Sequence, residues 1–187
     1  MAEQSHLYVL HQGKDEWNQW RQEHHSIQPD FTDADFRGAQ LRQVNLAGAR
    51  LNGADLSGAD LSESLLIRAD FSEANLSRAS LISADLQEAN LRAAILSNAN
   101  LSEAILSNAV LSDADLSGID FSRANFKGAR LGKAYFSRHP DTSLTDNYHE
   151  ASQAHTPQQQ KHQGKQRRGI EAEDLDERAH EDWANDE

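Results

Sequence analysis

Paired carboxylates are the side chains of this chain whose spacing could support general acid–base catalysis. Asp113 and Asp115 stand two residues apart, and such a pair works when a cleft shifts the pKa of one member. Both aspartates fall, however, in a regular repeat that predicts a convex, solvated surface. We therefore predict no catalytic residue, no cofactor and no enzymatic activity.

Histidines are the second group to consider, since imidazole is a common metal ligand. The chain has nine histidines and no cysteine, and their spacing matches no known metal site. They are His6, His11, His24, His25, His139, His149, His155, His162 and His180. All nine lie outside the repeats, so we predict that they are solvated and that the chain has no metal site.

The element that must position any functional side chain is the stretch from residue 29 to residue 138. A large apolar residue returns there at every fifth position, beginning with Phe31, Phe36 and Leu41. Ala stands two residues before most of these centres, and Asp or Asn usually stands one residue before. A period of five fits neither a helix nor a strand. The pattern therefore predicts a solenoid that turns at every repeat, with the large apolar and Ala columns inside.

The repeats resemble those of the pentapeptide-repeat family. Ala54–Gly58 reads Ala-Asp-Leu-Ser-Gly and Ala74–Arg78 reads Ala-Asn-Leu-Ser-Arg. The resemblance implies an all-β solenoid, namely a right-handed quadrilateral parallel β-helix with four pentads per coil. The 110 repeat positions would then make about 5.5 coils and a rod about 26 Å long, at about 4.8 Å per coil.

Residues 1–28 form an N-terminal segment in which we predict one short helix, from Lys14 to His24. Trp17 and Trp20 recur at helical spacing, with acidic residues in the predicted first turn. A β-solenoid needs a cover over its open end. The helix is therefore either a cap over the first coil or an aromatic docking site.

Residues 139–187 form a polar, low-complexity and acidic tail without apolar periodicity. We predict that it is mostly disordered. It is either a solubility tail or a segment that folds on a partner, with Trp183 on a thin apolar stripe.

Departures from the repeat carry further information. In the Ala column, Val44 and Ser64 are twenty residues apart, so four pentads per coil place them in contact. We expect the Ser64 hydroxyl to donate to a backbone carbonyl.

Apolar residues at outward positions are the candidate contact site. Four of them are predicted to lie close together around Asp85, namely Leu65, Ile67, Ile82 and Ile105. Ile82 is predicted near the corner of the fourth side of the coil, and the other three on that side. This group is either a protein-contact surface or a set of singly exposed residues that suit short strands.

Charge limits the partners that this chain would bind directly. The formal net charge is −12, which disfavours nucleic acid and anionic membranes. No apolar run is long enough to span a bilayer, and residues 1–10 lack the pattern of a signal peptide. We therefore expect a cytoplasmic protein.

Two classes of function remain. The first is a non-enzymatic interaction or scaffold protein, with an unidentified protein partner or a weak homodimer. The second is implied by the family resemblance: some members mimic duplex DNA and bind DNA topoisomerases, including proteins that protect gyrase from quinolones. A duplex mimic needs a continuous acidic surface, whereas residues 29–138 contain fourteen acidic and eleven basic side chains, so the interaction class is favoured.

Overall fold

The computed structural model describes residues 2–136, which contain two helices followed by a β-solenoid. Helix α1 spans Gln4–Gln12 and helix α2 spans Lys14–Glu23. The two are joined at Gly13, whose φ of 129° suits a residue without a side chain. Within residues 2–136, neither helix is long and apolar enough to cross a membrane.

The β-structure consists of one bridge residue per pentad rather than of longer strands. The bridges run from Asp30 with Arg50 to Asp115 with Tyr135. Every bridge is parallel and joins residues that are twenty apart. Each turn of the coil therefore contains four pentads. We name the four sides A, B, C and D after the centres of the first coil, which are Phe31, Phe36, Leu41 and Leu46 respectively.

Adjacent coils are joined on each side by regular backbone hydrogen bonds. On side B, the Phe36 N–H donates to the Asp55 carbonyl at 2.7 Å, and the Asp55 N–H donates back to the Ala34 carbonyl at 2.9 Å. The backbone groups at the bridge residues and centres are therefore paired by the neighbouring coils, so stability depends on contact between adjacent coils.

The interior is filled by the large apolar and Ala columns. Every Leu centre from Leu46 to Leu111 is fully buried, and so is Phe71. Ser64 is also fully buried, and its hydroxyl donates to the Leu41 carbonyl at 2.7 Å. This confirms the expected bond, and it explains how a polar residue is tolerated in the Ala column.

A tight turn closes every pentad. In the first pentad, the Ala34 N–H donates to the Phe31 carbonyl at 3.1 Å, and Asp33 has a φ of 58°. A positive φ at the third residue is typical of a type II turn. Six of the repeats place Gly at this position, namely Gly38, Gly48, Gly53, Gly58, Gly118 and Gly128. These glycines, always two residues after a centre, are a signal for the turn that the repeat pattern alone did not reveal.

The N-terminal segment differs from the prediction of a single helix. Helix α2 matches the predicted stretch, whereas α1 was not predicted. Helix α1 has no acidic residue in its first turn and no side-chain cap, so it lacks the usual start signals. The available signal was the four-residue spacing of His6 and Leu10, which are both buried.

The prediction that all histidines are solvated is wrong for His6. Only 4% of His6 is exposed, because its ring lies edge-on to Trp20 and Phe31. Its Nδ1 accepts the Asp30 N–H at 3.2 Å. His6 therefore has a structural role at the first coil.

Candidate protein-contact surface on side D

The residue before each centre has a structural role that explains its usual identity. Asp85 accepts the Gln87 N–H through Oδ1 at 3.1 Å, and Asp115 accepts the Ser117 N–H in the same way at 2.9 Å. Asp and Asn are suited to this local bond across the start of a turn. An apolar residue at this position forgoes that hydrogen bond.

Side D contains two such apolar residues. The bridges place Leu65, Asp85 and Ile105 next to one another in one outward column, as the sequence predicted. Leu65 is 46% exposed and Ile105 is 36% exposed. Half-buried Ile67 lies in the neighbouring outward column, because its carbonyl accepts the Gly48 N–H of the coil before.

Ile82 lies around the corner from this group. Its carbonyl accepts the Glu63 N–H, which places it in the column of side C that precedes the C–D corner. It is 38% exposed. Three of the four residues predicted as a contact group therefore share side D, and Ile82 borders it.

Other exposed apolar residues do not form a group of this kind. Ile95 and Tyr135 share a column of side B with Asp115 between them, but the neighbouring column contains Arg37 and serines and has no apolar residue among the described residues. Tyr8 is exposed on α1, and Ile27 is exposed after α2.

Arg–Glu pairs line the two corners of side D. Arg68 contacts Glu88 at 2.7 Å at one corner, and Arg123 contacts Glu103 at 3.1 Å at the other. The Arg68 guanidinium donates to Glu88 and holds the pKa of that carboxyl below its usual range. Leu65, Ile67 and Ile105 thus lie between charged corners, and a polar rim around apolar residues is common in protein interfaces.

The predicted cap residues lie at the N-terminal end of the coil. Trp17 is fully buried, its ring stacks on Trp20 at 5.1 Å, and it lies 5.5 Å from the Phe31 ring. The indole N–H of Trp17 donates to the Asn45 carbonyl at 2.8 Å. The helices thus contact the first coil on sides A and D.

Sides B and C of the first coil are not contacted in this way. Within residues 2–136, the backbone N–H groups of Asp35 and Gln40 donate to no acceptor. The equivalent N–H groups on sides A and D donate to His6 and Asn18.

The carboxylate pair considered for catalysis is divided between two structural roles. Asp113 is a turn residue with a φ of 63° that lies 3.6 Å from Arg92, whereas Asp115 is a bridge residue. Among the described residues, no cluster of His, Asp or Glu could hold a metal ion.

A shallow depression of about 410 Å³ is present on side B. Its lining contains no carboxylate and no imidazole. The lining residues are Ser57, Gly58, Asn75, Ser77, Arg78, Ser97 and Asn98. This depression therefore does not assemble groups for acid–base catalysis.

The family model for pentapeptide repeats matches the chain in eight copies, which together cover residues 30–138. The chain belongs to the pentapeptide-repeat family. No curated protein matches the chain.

Several solved structures resemble this chain. Alr5209 from Nostoc PCC 7120 is 36% identical, with 59% of this chain and 90% of that chain covered and a TM-score of 0.48. HetL from Nostoc sp. strain PCC 7120, a protein involved in heterocyst differentiation regulation, is 33% identical, with 55% and 60% covered and a TM-score of 0.40.

QnrB1, a plasmid-mediated fluoroquinolone resistance protein, is 24% identical, with 58% and 63% covered and a TM-score of 0.35. The match thus spans less than two thirds of HetL and of this trypsin-treated form of QnrB1.

Proposed function

We propose that this chain is a non-enzymatic protein-interaction rod, and that its contact surface is the group of Leu65, Ile67 and Ile105 on side D. The observation that carries the proposal is the loss of the local hydrogen bond at two positions of one column. Asp or Asn at residues 65 and 105 would accept the N–H of residues 67 and 107. Leu and Ile cannot do so, and they leave apolar surface in water.

The same proposal assigns a supporting role to the rest of the fold. A right-handed coil of about 5.5 turns gives side D a fixed geometry. Helices α1 and α2 cap the N-terminal end of the coil through Trp17 and Trp20. The fixed backbone columns keep the contact residues in register before a partner binds, which reduces the entropy cost of binding.

Affinity capture from the native source tests the proposal. The wild-type chain and the double variant Leu65→Asn/Ile105→Asn are used as bait, and captured proteins are identified by mass spectrometry. The matched control is Ile95→Asn, because Ile95 is a bridge residue with similar exposure on side B.

We expect the double variant to lose proteins, or a second copy of this chain, that wild type and Ile95→Asn both retain. The proposal is wrong if all three baits retain the same proteins in the same amounts.

Charge does not favour mimicry of duplex DNA, which is the second class that the family resemblance implies. Three glutamates at the corners, Glu63, Glu88 and Glu103, each contact an arginine. Such pairs interrupt the single-sign field by which a protein imitates phosphates.

A further inference from the structure

The C-terminal end of the described coils differs from the coils before it in burial, hydrogen bonding and charge. We propose that this end, formed by residues 117–136, is a second protein-binding surface, and that it binds an acidic segment with apolar side chains from a partner protein. The proposal goes beyond the contact surface on side D, because the end shares no residue with Leu65, Ile67 and Ile105.

Apolar side chains are less well covered at this end than in the coil before it. Five interior positions are half-buried here, namely Ile119, Phe121, Leu131, Ala134 and Phe136. The residues twenty positions earlier, at the same places in the preceding coil, are at most 1% exposed. At the opposite end, Phe31 is fully buried against the Trp17 ring. The C-terminal end therefore presents apolar surface, and burial of this surface against a partner is favourable.

Backbone donors at the same end have no acceptor within the described residues. Every centre before Phe121 donates its N–H to the coil that follows, as Leu106 does to the Asn125 carbonyl at 2.7 Å. Turn residues donate in the same direction, as Asn108 does to the Lys127 carbonyl at 2.9 Å. Within residues 2–136, the equivalent N–H groups that donate to no acceptor are those of Phe121, Arg123, Phe126, Gly128, Leu131 and Lys133.

Acceptors at this end are fewer than donors. In each pentad, only the carbonyl of the Ala column accepts an N–H from the coil that follows, as Ala104 accepts the Asn125 N–H at 2.9 Å. Each terminal pentad therefore presents two donors and one acceptor. An extended segment pairs with such an edge by addition of a strand. The excess of N–H donors favours a segment that also provides carboxylate oxygens.

The charge at this end is basic. Residues 121–136 contain Arg123, Lys127, Arg130 and Lys133 and no acidic residue. Arg123 contacts Glu103 of the coil before at 3.1 Å. Within the part of the chain that the structure describes, the other three basic groups form no ion pair. These positive charges attract an acidic partner and increase its rate of association.

An acidic protein segment suits this end better than a nucleic acid does. Aromatic or aliphatic side chains of such a segment cover the half-buried apolar residues, while its carboxylates face the basic groups around them. A nucleic acid also provides negative charge, but the formal net charge of −12 on the whole chain repels its phosphates.

The acidic residues 171–187 of this chain suit the end less well than a separate partner. Four basic residues closely precede them, namely Lys161, Lys165, Arg167 and Arg168. A basic end repels such a cluster, whereas the acidic segment of a separate partner need not bring one with it.

Fluorescence anisotropy of a labelled peptide tests the proposal with the full chain. The probe consists of three copies of Glu-Asp-Leu-Asp-Trp, and two control peptides are matched to it. The first control replaces every acid by its amide, and the second replaces every Leu and Trp by Ser. We expect the chain to bind the probe several-fold more tightly than either control, and we expect binding to weaken as salt is added.

Two charge reversals locate the binding site. Lys127→Glu changes an exposed basic residue of the end. Arg78→Glu is the matched control, because Arg78 is exposed on side B and also forms no ion pair within residues 2–136. We expect Lys127→Glu to lower the affinity for the probe several-fold and Arg78→Glu to change it less than about twofold. The proposal is overturned if both variants bind alike, or if either control peptide binds as tightly as the probe.

Other occupants of the end give different results in the same assay. If a single-stranded oligothymidylate binds more tightly than the probe, the end is a nucleic-acid site and a protein partner is wrong. If wild type does not bind the probe but the full-length variant Leu175→Ser/Trp183→Ser does, residues 171–187 cover the end and a separate partner is wrong. If neither protein binds the probe, the proposal is also overturned.

The variant Leu65→Asn/Ile105→Asn separates this proposal from the proposed function. We expect it to bind the probe as tightly as wild type, because the contact group on side D takes no part at the end. A loss of probe binding in this variant would instead assign the acidic segment to side D and overturn the proposal.

Discussion

The indole N–H of Trp17 donates to the backbone carbonyl of Asn45 at 2.8 Å. In later coils, the equivalent carbonyl accepts the backbone N–H of a centre in the coil before. One coil later, the Leu46 N–H donates to the Leu65 carbonyl at the same distance. The Asn45 N–H in turn donates to Asn18 Oδ1. On side D, side chains of helix α2 thus make the hydrogen bonds to the first coil that the backbone of a preceding coil makes to each later coil.

The first prediction tests this substitution. Trp17→Phe keeps a ring against Phe31 but removes the donor, so the Asn45 carbonyl loses its partner. We expect a loss of about 1–3 kcal/mol in the free energy of unfolding, measured by urea denaturation. Trp20→Phe is the control, because the Trp20 ring stacks on Trp17 and His24 and so contributes mainly ring contacts. Equal losses for both variants would show that ring volume alone matters.

A second prediction concerns the turns. Gly58 has a φ of 67° and no heavy atom within 4 Å of where a Cβ would stand, whereas Ala93 occupies the same kind of position at 55°. A left-handed residue with a side chain costs about 1–2 kcal/mol, and part of this is offset by the greater chain entropy of unfolded Gly. Gly58→Ala should therefore lower the free energy of unfolding by about 0.5–1 kcal/mol and Ala93→Gly should raise it by a similar amount. Shifts of the same sign in thermal melting would contradict the turn assignment.

The repeat period and the resemblance to the pentapeptide-repeat family predicted the solenoid and the buried columns. They also predicted that Leu65, Asp85 and Ile105 lie in one column. These features depend on side chains that recur at every coil, so each position is specified many times. Helix α1 and the burial of His6 were not predicted, because the N-terminal segment occurs only once and its pattern is not repeated along the chain. The turn conformation was missed for another reason: most turn positions hold residues other than Gly, which tolerate a positive φ only because the coil imposes it.

A third prediction concerns acid. Arg37 donates side-chain and backbone hydrogen bonds to Asp35 and lowers the pKa of that carboxyl to about 2. A depressed folded pKa stabilises the fold above the unfolded value, which is about 4, and this contribution is lost as the pH falls through the folded value. The melting temperature should therefore fall as the pH is lowered from about 4 to about 2.

Asp35→Asn removes the charge but keeps an oxygen for the Arg37 N–H, and Arg37→Gln removes the guanidinium. Both variants should lose less stability than wild type over this pH range, because neither retains the full ion pair. Identical melting profiles for all three proteins would show that this pair does not contribute to acid sensitivity.

A fourth prediction concerns gyrase. The Arg–Glu pairs at the corners place basic groups beside acidic ones on the described coils, whereas a mimic of duplex DNA requires a continuous acidic surface. Purified protein should therefore neither inhibit supercoiling by gyrase nor protect gyrase from a quinolone. Inhibition at low micromolar protein that weakens as salt is added would instead support the mimic.

The last prediction concerns the apolar bridge residues of side D. Asn at residue 65 or 105 restores an acceptor for the N–H two residues later, as Asn75 and Asn125 provide in other pentads. Each single change should therefore raise the free energy of unfolding of the monomer by about 0.5–1.5 kcal/mol. Thermal melting at low protein concentration measures this effect without a contribution from association.

The reverse change provides the matched control. Asn75→Leu on side B removes the bond to the Ser77 N–H and should lower the free energy of unfolding by a similar amount. If Leu65→Asn and Ile105→Asn stabilise the monomer while they abolish the contact on side D, these residues are retained at a cost to stability, as is common at binding surfaces. If both changes destabilise the monomer, Leu65 and Ile105 stabilise the coil itself, and the argument for a contact surface loses its main support.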